Sequence, residues 1–378
     1  MGGQEMVVDE LARQYQQLGH SVVLLSPEPP HHLKANDSEF PYRIERHPRF
    51  ISTRWFVSWY ELALKRLYRE FKYDIIHCHN VYPNGYLAVK HKLRGGPPVV
   101  ITSHGGDVRN DNPRFKKHGL KARHQLAVQQ ADALVAIGPF TEQGYLNLGA
   151  KPQRIENIGN GVHAESLLEP VDRPEIIPSH VRSKKYILFV GRLAHRKGVD
   201  VLLRAAAQHL RSLPNQANPP HYVICGDGTE RESLQALSID LGLKSFVTFM
   251  GNVRGTTKQW LLQQAFSMVI PSRQWEAYPM VLLEGFAAGC PIIASDAPGL
   301  QGLVNHGENG WVFPRENTEA LAEMLGVVWN NPSINIDVAH NGLQVARKCE
   351  WSRIAERHVE LFEKLTGQRQ QFTLRLAA

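Results

Sequence analysis

The chain has 378 residues, 43% of them hydrophobic and 21% charged, which excludes extended disorder and, at roughly 100 to 200 residues per domain, predicts two domains facing a cleft. Four scattered cysteines without a CxxC pair, and no apolar run near the ~20 residues that span a membrane, exclude a disulfide framework and a transmembrane helix and favour a reducing cytoplasm. The net charge is +7, but residues 43 to 123 alone hold seventeen Lys or Arg against six Asp or Glu, which favours an anionic lipid, an anionic acceptor or nucleic acid as partner, unless the charges only solvate the surface.

Short apolar runs alternate with helical patterns in the first half of the chain. Brief, continuously apolar runs are typical of buried parallel strands. The predicted strands are HSVVLLS (20–26), YDIIHCH (73–79), PVVITSH (98–104) and ADALVAIG (131–138), with helices at 5–18 and 54–72.

The helix at 54–72 has one apolar stripe and one basic stripe. Tyr60, Leu64 and Leu67 lie on the apolar stripe, and Lys65 and Arg69 lie on the other. Packing against its own sheet is the favoured interpretation. The alternative is peripheral contact with the inner membrane face, since basic residues with aromatics suit an anionic interface.

Two features of the first half suit a ligand. His104 ends a predicted strand in TSHGGD and can donate a hydrogen bond to a substrate hydroxyl, although a structural histidine is an equal alternative. Gly2 and Gly3 form a glycine turn before a helix, which is compatible with a phosphate. His77 and His79 share a strand face without a third ligand nearby, so we do not predict a metal there.

A second βαβ series follows a proline-rich, charged stretch at 169–185, which predicts a linker. The domains are therefore placed at 1–170 and 171–351, with a helix at 352–366 that can pack back on the first. Each half is predicted to be a doubly wound α/β sheet. The second-half strands are YILFVGR (186–192), HYVICGDG (221–228), SFVTFMG (245–251), SMVIPS (267–272), CPIIASD (290–296) and GWVFP (310–314).

Charged residues cluster where strands of the second half end. Arg192 follows the first strand and Lys197 lies in the loop before the next helix, at the sheet edge where ligands bind in open α/β sheets. Two cations there can neutralise a pyrophosphate. Glu276 lies in a loop, and Glu284 lies inside a helix predicted to start near Pro279. Carboxylates beside an anion-binding helix start suit a sugar attached to a diphosphate.

Several cofactor motifs are missing from the sequence. GDG (226–228) lacks the remaining spacing of GxGxxG, and no GxxxxGK[ST] occurs, so neither a dinucleotide nor a P-loop site is predicted. No two aspartates are separated by a single residue. A DxD-type manganese site is thus not expected, and no metal or other cofactor is predicted.

Taken together, the chain resembles the group 1 glycosyltransferases, glycosyltransferase family 4. The resemblance rests on GGQEMVVDELARQYQQLGHSVVLLS, YDIIHCHN, ITSHGGD, IGNGV, FVGRLAHRKGVDVLL, ICGDGTERESL, FMGNV and PSRQWEAYPMVLLEGFAAGCPIIASDAPGLQGLV. It implies the two-Rossmann GT-B fold and a retaining, metal-independent transfer of sugar from a nucleotide-diphosphate donor to a hydroxyl of a glycan, glycolipid or polysaccharide precursor. No nucleic acid partner is expected.

The resemblance also implies roles for individual residues. Arg192 and Lys197 would hold the donor diphosphate, Glu284 the ribose and Glu276 the sugar hydroxyls. His104 would contact the donor sugar. Backbone N–H groups of Gly2 and Gly3 would bind the phosphate, and the backbone of Tyr278, Pro279, Met280 and Val281 would cap the same anion.

One feature departs from the family. Members normally begin with an apolar strand ahead of the glycine turn, and this sequence starts at the turn. That strand is central in the usual order, so its neighbours are expected to be left unpaired. A chain extended upstream is then expected to be more stable and more active. A same-fold phosphorylase, a sugar-nucleotide epimerase and a truncated nucleotide-sugar-binding pseudoenzyme stay open as alternatives.

Overall fold

The computed structural model describes residues 3–29, 36–48, 53–182, 185–213, 219–367 and 373–377. The chain divides into two compact units. The first comprises Met1–Asn160 together with Trp351–Ala378, and the second comprises Gly161–Glu350. The predicted boundary at residue 170 lies after the one seen here, because the short helix that follows residue 163 packs with the second unit.

The first unit is an α/β layer structure. Its helices are α1 (Gly3–Gln17), α2 (Thr53–Phe71), α3 (Tyr86–Lys92), α4 (Leu120–Gln130), α5 (Pro139–Asn147) and α14 (Trp351–Thr366). Its strands are β1 (Ser21–Pro27), β2 (Arg43–His47), β3 (Ile75–Cys78), β4 (Val99–Ser103), β5 (Ala133–Ala136), β6 (Ile155–Asn157) and β13 (Thr373–Ala377).

The strand at the end of the chain lies inside the first sheet. In the described residues the order is β2-β1-β13-β3-β4-β5-β6, and every pairing is parallel. β13 pairs Leu374 with Val22 on one side and with Ile75 on the other. The expectation that the neighbours of a central strand stay unpaired is therefore wrong, since β13 satisfies their backbone groups.

Two helices of the first unit pack as the sequence predicts. α14 packs on α1, where Tyr15 makes edge contacts with His358 and Phe362. α2 buries Tyr60 and Leu64 in the core of the first unit, as the favoured interpretation predicts. Among the described residues, none of the helices combines the length and apolarity that crossing a bilayer requires.

The second unit repeats the architecture. Its strands are β7 (Tyr186–Val190), β8 (His221–Cys225), β9 (Val247–Gly251), β10 (Ser267–Ile270), β11 (Ile292–Ser295) and β12 (Trp311–Phe313). Its helices are α6 (Ala164–Leu168), α7 (Ser179–Arg182), α8 (Val199–Ser212), α9 (Arg231–Asp240), α10 (Gly255–Gln264), α11 (Met280–Ala287), α12 (Thr318–Asn330) and α13 (Ile334–Lys348). The described strands run β12-β11-β10-β7-β8-β9, all parallel, so β7 is central and the loops after β7 and β10 emerge side by side.

Burial on both faces explains why these strands are apolar. Ile187 faces one hydrophobic cluster and Leu188 faces the other, and both are at most 1% exposed. Alternate residues of a strand point to opposite faces, so helices must cover both. This rigid sheet fixes where its carboxyl-end loops, and the charged side chains on them, are held.

Candidate active site

Lys197 ends a single helical turn between β7 and α8. Arg192 is exposed just after β7, and Lys197 closes a 3₁₀ turn that begins at His195. Gly198 follows with φ 66°, and a Cβ there would lie 2.0 Å from the carbonyl oxygen of Pro271. Only glycine allows the loop after β7 to approach the loop after β10 this closely.

Glu276 is the acceptor at the centre of this site. The residue is 5% exposed, and its Oε1 accepts hydrogen bonds from Lys197 Nζ at 2.6 Å and from Ser272 Oγ at 2.6 Å. Arg196 Nη1 lies 3.6 Å from the same oxygen. No described residue donates a hydrogen bond to Oε2. One carboxylate oxygen is thus fixed, and the other keeps its lone pairs for a ligand.

The backbone around Glu276 is held by a second close approach. The Glu276 N–H donates to the carbonyl of Pro298 at 2.8 Å. Gly299 has φ 91°, and a Cβ there would lie 1.5 Å from the Glu276 carbonyl oxygen. The segment after β11 therefore supports the Glu276 loop only because residue 299 has no side chain.

Arg273 ties the two loops together. Its guanidinium makes a bidentate ion pair with Asp200, with Nη2 to Oδ2 at 2.6 Å. The backbone N–H of Arg273 donates to the Arg196 carbonyl at 2.9 Å. The Arg273 guanidinium holds the pKa of Asp200 below its usual value despite burial, which opposes the shift. The ion pair is charge-assisted and bidentate, so the relative position of the loops is well defined.

The electrostatic balance at Lys197 is mixed. Burial lowers its pKa from the ordinary value, the carboxylate of Glu276 opposes that shift, and the positive charges of Arg196 and Arg192 add to it. The cations therefore repel one another around one buried carboxylate. An anionic ligand placed beside Arg192, Arg196 and Lys197 would relieve this repulsion.

The helix predicted to start near Pro279 is α11. Pro279 is its N-cap residue, and Met280 and Val281 form its first turn, whose N–H groups have no partner within the helix. The Tyr278 hydroxyl lies 3.8 Å from Cys349 Sγ, so its side chain points into the protein.

Glu284 lies in the second turn of α11 and is partly buried. Its Oε1 accepts a hydrogen bond from Lys258 Nζ of α10 at 2.6 Å. The side chains are 13% and 23% exposed, respectively. Glu284 is thus paired with a residue that the sequence analysis does not select, and it makes no hydrogen bond to Lys197 or Arg192.

His104 lies in the first unit, in a turn organised by Asp107. The Asp107 carboxylate accepts hydrogen bonds from the Val81 N–H and from Ser103 Oγ. His104 Nε2 lies 3.2 Å from His79 Nδ1, so one ring nitrogen donates and the other accepts. Burial lowers the pKa of His104 to about 4, and the charge of Asp107 opposes that shift. His104 is therefore neutral at physiological pH.

The glycine turn is only partly described. Gly3 is exposed at the first residue of α1, and Gly2 lies outside the described residues. The Gln4 side chain donates to the His79 carbonyl at 2.8 Å, which anchors the start of α1 to the residue that follows β3. The start of α1 and the His104 turn thus share His79 as a neighbour.

Sequence reasoning misses the supporting residues. Ser272, Arg196, Arg273 and Lys258 act through partners that are 4 to 80 positions away in the chain. Ser272 and Arg273 directly follow a strand, and that position is the one indication the sequence carries. Lys258 has no such indication, because α10 meets α11 only in the folded unit.

Comparison with known proteins identifies the family of the chain. The family model described as glycosyl transferases group 1 matches residues 172–344, and the model described as glycosyltransferase family 4 matches residues 1–166. The two matches together span most of the sequence. The chain belongs to the group 1 glycosyltransferases of glycosyltransferase family 4 and is a glycosyltransferase.

Individual relatives cover most of the chain. An uncharacterized glycosyltransferase of Methanocaldococcus jannaschii is 28% identical over 85% of this chain and 84% of its own length. A D-inositol 3-phosphate glycosyltransferase of Streptosporangium roseum is 29% identical over 80% and 72%.

Solved structures share the fold. Anabaena HepE in complex with UDP superposes with a TM-score of 0.77 at 20% identity over 96% of this chain and 97% of that one. Sucrose-phosphate synthase of Thermosynechococcus elongatus gives 0.77 at 22% identity over 97% and 94%. These matches establish the GT-B fold of the chain.

Proposed function

We propose that this glycosyltransferase moves a sugar from a nucleotide-diphosphate donor to a hydroxyl acceptor with retention of anomeric configuration and without a metal ion. The observation that carries the proposal is the cation group at the Glu276 loop, just before the start of α11. Arg196 and Lys197 lie beside the Glu276 carboxylate, and the charge of Arg192 acts on Lys197. A diphosphate is the ligand that such a group neutralises. HepE was solved with UDP-glucose, which supports a nucleotide sugar as donor.

Charge explains the chemistry that the group would perform. Cleavage of a glycosyl–phosphate bond leaves negative charge on the nucleoside diphosphate and positive character on the sugar. Lys197 has three N–H donors, and one of them is used on Glu276. The other two, with Arg192 and the helix N–H groups, would stabilise the leaving diphosphate and supply the charge that a metal ion provides in other transferases.

The pairing of Lys197 with Glu276 has a second effect. A carboxylate and a diphosphate repel each other, because both are negatively charged. The Lys197 ammonium, 2.6 Å from Glu276 Oε1, offsets that repulsion. Glu276 Oε2 would then accept hydrogen bonds from hydroxyls of the transferred sugar and orient the anomeric carbon.

The first unit would contribute neutral groups that bind the donor, and it would bind the acceptor. His104 would donate a hydrogen bond to the donor sugar, and the backbone of Gly3, with Gly2, would add N–H donors to the phosphate. A glycan, glycolipid or polysaccharide precursor is the acceptor class that we propose. The exposed cations of the first unit suit an acceptor held at an anionic surface.

Helix α2 is the segment proposed for peripheral membrane contact. Its inner side packs in its own core, while Leu62 is 67% exposed and Lys65 and Arg69 are exposed on the outer side. Sedimentation with anionic and with neutral liposomes tests this contact. Retention by anionic vesicles alone, lost in Lys65→Glu/Arg69→Glu, is the expected result, and equal behaviour of both proteins would reject it.

The donor is tested by ligand screening followed by turnover. UDP-, GDP- and ADP-sugars are compared by thermal shift, because a ligand that binds the folded state raises its melting temperature. The donor that binds is incubated with acceptors, with and without EDTA, and the product anomer is read by NMR. We expect EDTA-resistant transfer with retained configuration; no shift with any nucleotide sugar would overturn the proposal.

The same assay separates the alternatives. A phosphorylase would require inorganic phosphate, an epimerase would convert the donor with no acceptor present, and a pseudoenzyme would bind the donor without turnover. Each outcome differs from transfer to a hydroxyl, so one set of incubations assigns the activity.

A further inference from the structure

We propose that Lys258 is the positioning residue of Glu284 and thereby makes donor binding depend on the two ribose hydroxyls. This inference rests on the proposed function, in which Glu284 binds the ribose of the donor. Lys258 matches none of the motifs that carry the family resemblance, and its contact with Glu284 appears only in the folded second unit.

The geometry of the pair carries the inference. Lys258 lies in the first turn of α10, and its Nζ is 2.6 Å from Oε1 of Glu284 in α11. No described residue donates a hydrogen bond to Oε2 of Glu284. A glutamate side chain rotates about three bonds, so a hydrogen bond to Oε1 selects one orientation of the carboxylate. That orientation also fixes the direction in which Oε2 points. Two neighbouring hydroxyls need such a fixed carboxylate to bind together.

The same arrangement occurs at the other acid of the pair. Glu276 is held through Oε1 by Lys197 at 2.6 Å, and Glu284 is held through Oε1 by Lys258 at 2.6 Å. Each acid has one lysine, and in each case Oε2 has no described partner. Lysine suits this role because its compact ammonium keeps two further donors for ligand oxygens.

Burial separates this pair from an ordinary surface ion pair. Exposed pairs contribute little because both side chains are mobile and solvated. Here Glu284 is 13% exposed and Lys258 is 23% exposed, and the two residues come from different helices. The pair is sufficiently shielded from solvent to hold one orientation, and the carboxylate is still accessible to a ligand.

The test compares nucleotides with and without the hydroxyls that Glu284 would bind. Affinities of UDP, GDP and ADP and of their 2′,3′-dideoxy forms are measured by calorimetry for the whole chain and for Lys258→Met, Lys258→Arg and Lys244→Met. Lys244 is an exposed lysine of the same unit with no described ion pair, and it serves as the matched control.

We expect Lys258→Met to weaken the ribonucleotide that binds by about tenfold, which corresponds to the loss of one well-placed hydrogen bond. Its dideoxy form should weaken less than about twofold. Lys258→Arg should recover most of the affinity, and Lys244→Met should change neither. In turnover, KM for the donor should rise with kcat nearly constant, because ground-state and transition-state binding are lost equally.

Two results would overturn the inference. Wild-type affinity in Lys258→Met, or an equal loss for the ribose and dideoxy forms, would show that Lys258 does not act through Glu284. A marked fall in melting temperature of Lys258→Met would move the same comparison to Lys258→Gln, measured alone and in the Glu284→Gln background. If Lys258 acts through Glu284, Lys258→Gln should add no further loss once Glu284 is changed. Absence of binding of every nucleotide to the unaltered chain would instead refute the proposed function.

Discussion

Lys197 and Glu276 are 79 positions apart in the chain, and the Lys197 ammonium donates a hydrogen bond to Glu276 Oε1 at 2.6 Å. The contact joins the loop after the central strand β7 to the loop after its neighbour β10. It places the strongest candidate for phosphate binding beside the strongest candidate for sugar binding.

Loss of either predicted phosphate-binding cation should slow turnover. Arg192→Ala and Lys197→Ala should each lower kcat about a hundredfold, because each removes a preorganised partner of the leaving diphosphate. Steady-state kinetics with the donor identified by thermal shift provides the measurement. Lys244→Ala is the control, and near wild-type transfer by both active-site variants would reject the assignment.

Neutralising Glu276 should reduce stability as well as activity. Glu276→Gln keeps the shape but leaves the Lys197 ammonium, whose side chain is 15% exposed, without its buried anion. We expect a loss of about 1–3 kcal/mol in the free energy of unfolding, measured by urea titration. Glu165→Gln breaks an ion pair in which the glutamate is 68% exposed, and it should cost less than about 0.5 kcal/mol. Equal effects of the two changes would contradict this.

Residue 299 should tolerate no side chain. Gly299→Ala would place a Cβ 1.5 Å from the Glu276 carbonyl oxygen, so the loop must shift, and we expect donor affinity to fall together with stability. Gly302→Ala is a matched control, because Gly302 also has a positive φ (78°) but a Cβ there meets no atom within 4 Å. It should lose about 1 kcal/mol of stability and keep its affinity. Similar donor affinities for the two variants would show that the close approach does not shape the site.

Acid should destabilise the first unit through its buried histidines. The rings of His358, His77, His79 and His104 form a chain in which each ring contacts the next. Burial lowers the pKa of each histidine. For His358 the pKa falls from its ordinary 6.5 to about 4. Its contribution is complete above the unfolded pKa near 6.5 and is lost as the pH falls toward 4, at about 1.4 kcal/mol per pH unit.

The measurement is the free energy of unfolding in urea at pH 7, 6 and 5. His358→Phe should flatten the pH dependence by one proton, since phenylalanine can keep the ring packing against Tyr15 and Phe362 but does not titrate. The exposed His118, changed to Gln, should leave the slope as it was. A stability that stays constant or rises between pH 7 and 5 would contradict the assignment.

The first sheet should depend on its last strand. Leu374 and Leu376 of β13 are fully buried, and β13 also pairs with β1 and β3. A chain ending at Gly367 should lose roughly 1.5–3 kcal/mol for each leucine and more for the unpaired backbone. Hydrogen exchange should show lost protection in β1 and β3, while β7 and β8 of the second unit keep theirs. Unchanged protection in β1 and β3 would refute a structural role for β13.

The fold was predictable where strands are buried on both faces. YILFV and HYVIC are almost continuously apolar because helices cover both sides of their sheet, and the predicted strands β3, β4, β5, β10 and β11 are likewise buried throughout. β2 and β6 escaped prediction because RIERH and IEN are short, polar edge strands. β13 escaped because its place in the sheet is decided by partners about 300 positions away, as the Asp74–Thr373 contact shows.

The site was predictable only as far as a strand end determines position. Arg192 and Glu276 follow strands, and the start of α11 follows from Pro279, so sequence alone could place them at one sheet edge. Which groups touch could not be read, since the pairs with Ser272 and Lys258 depend on packing between segments. The roles of these residues in the reaction stay predictions until the variants are measured.

The place of β13 in the middle of the first sheet also constrains how the polypeptide is made. Residues 161–350 are continuous, so the second unit has all its strands once they leave the ribosome, whereas the seven-stranded sheet needs residues 373–377, which are translated later. Until then the edges of β1 and β3 are open to pairing with other chains. Nascent molecules stalled before residue 373 should therefore recruit chaperones or aggregate, and the first unit should close only after residues 373–377 have left the ribosome.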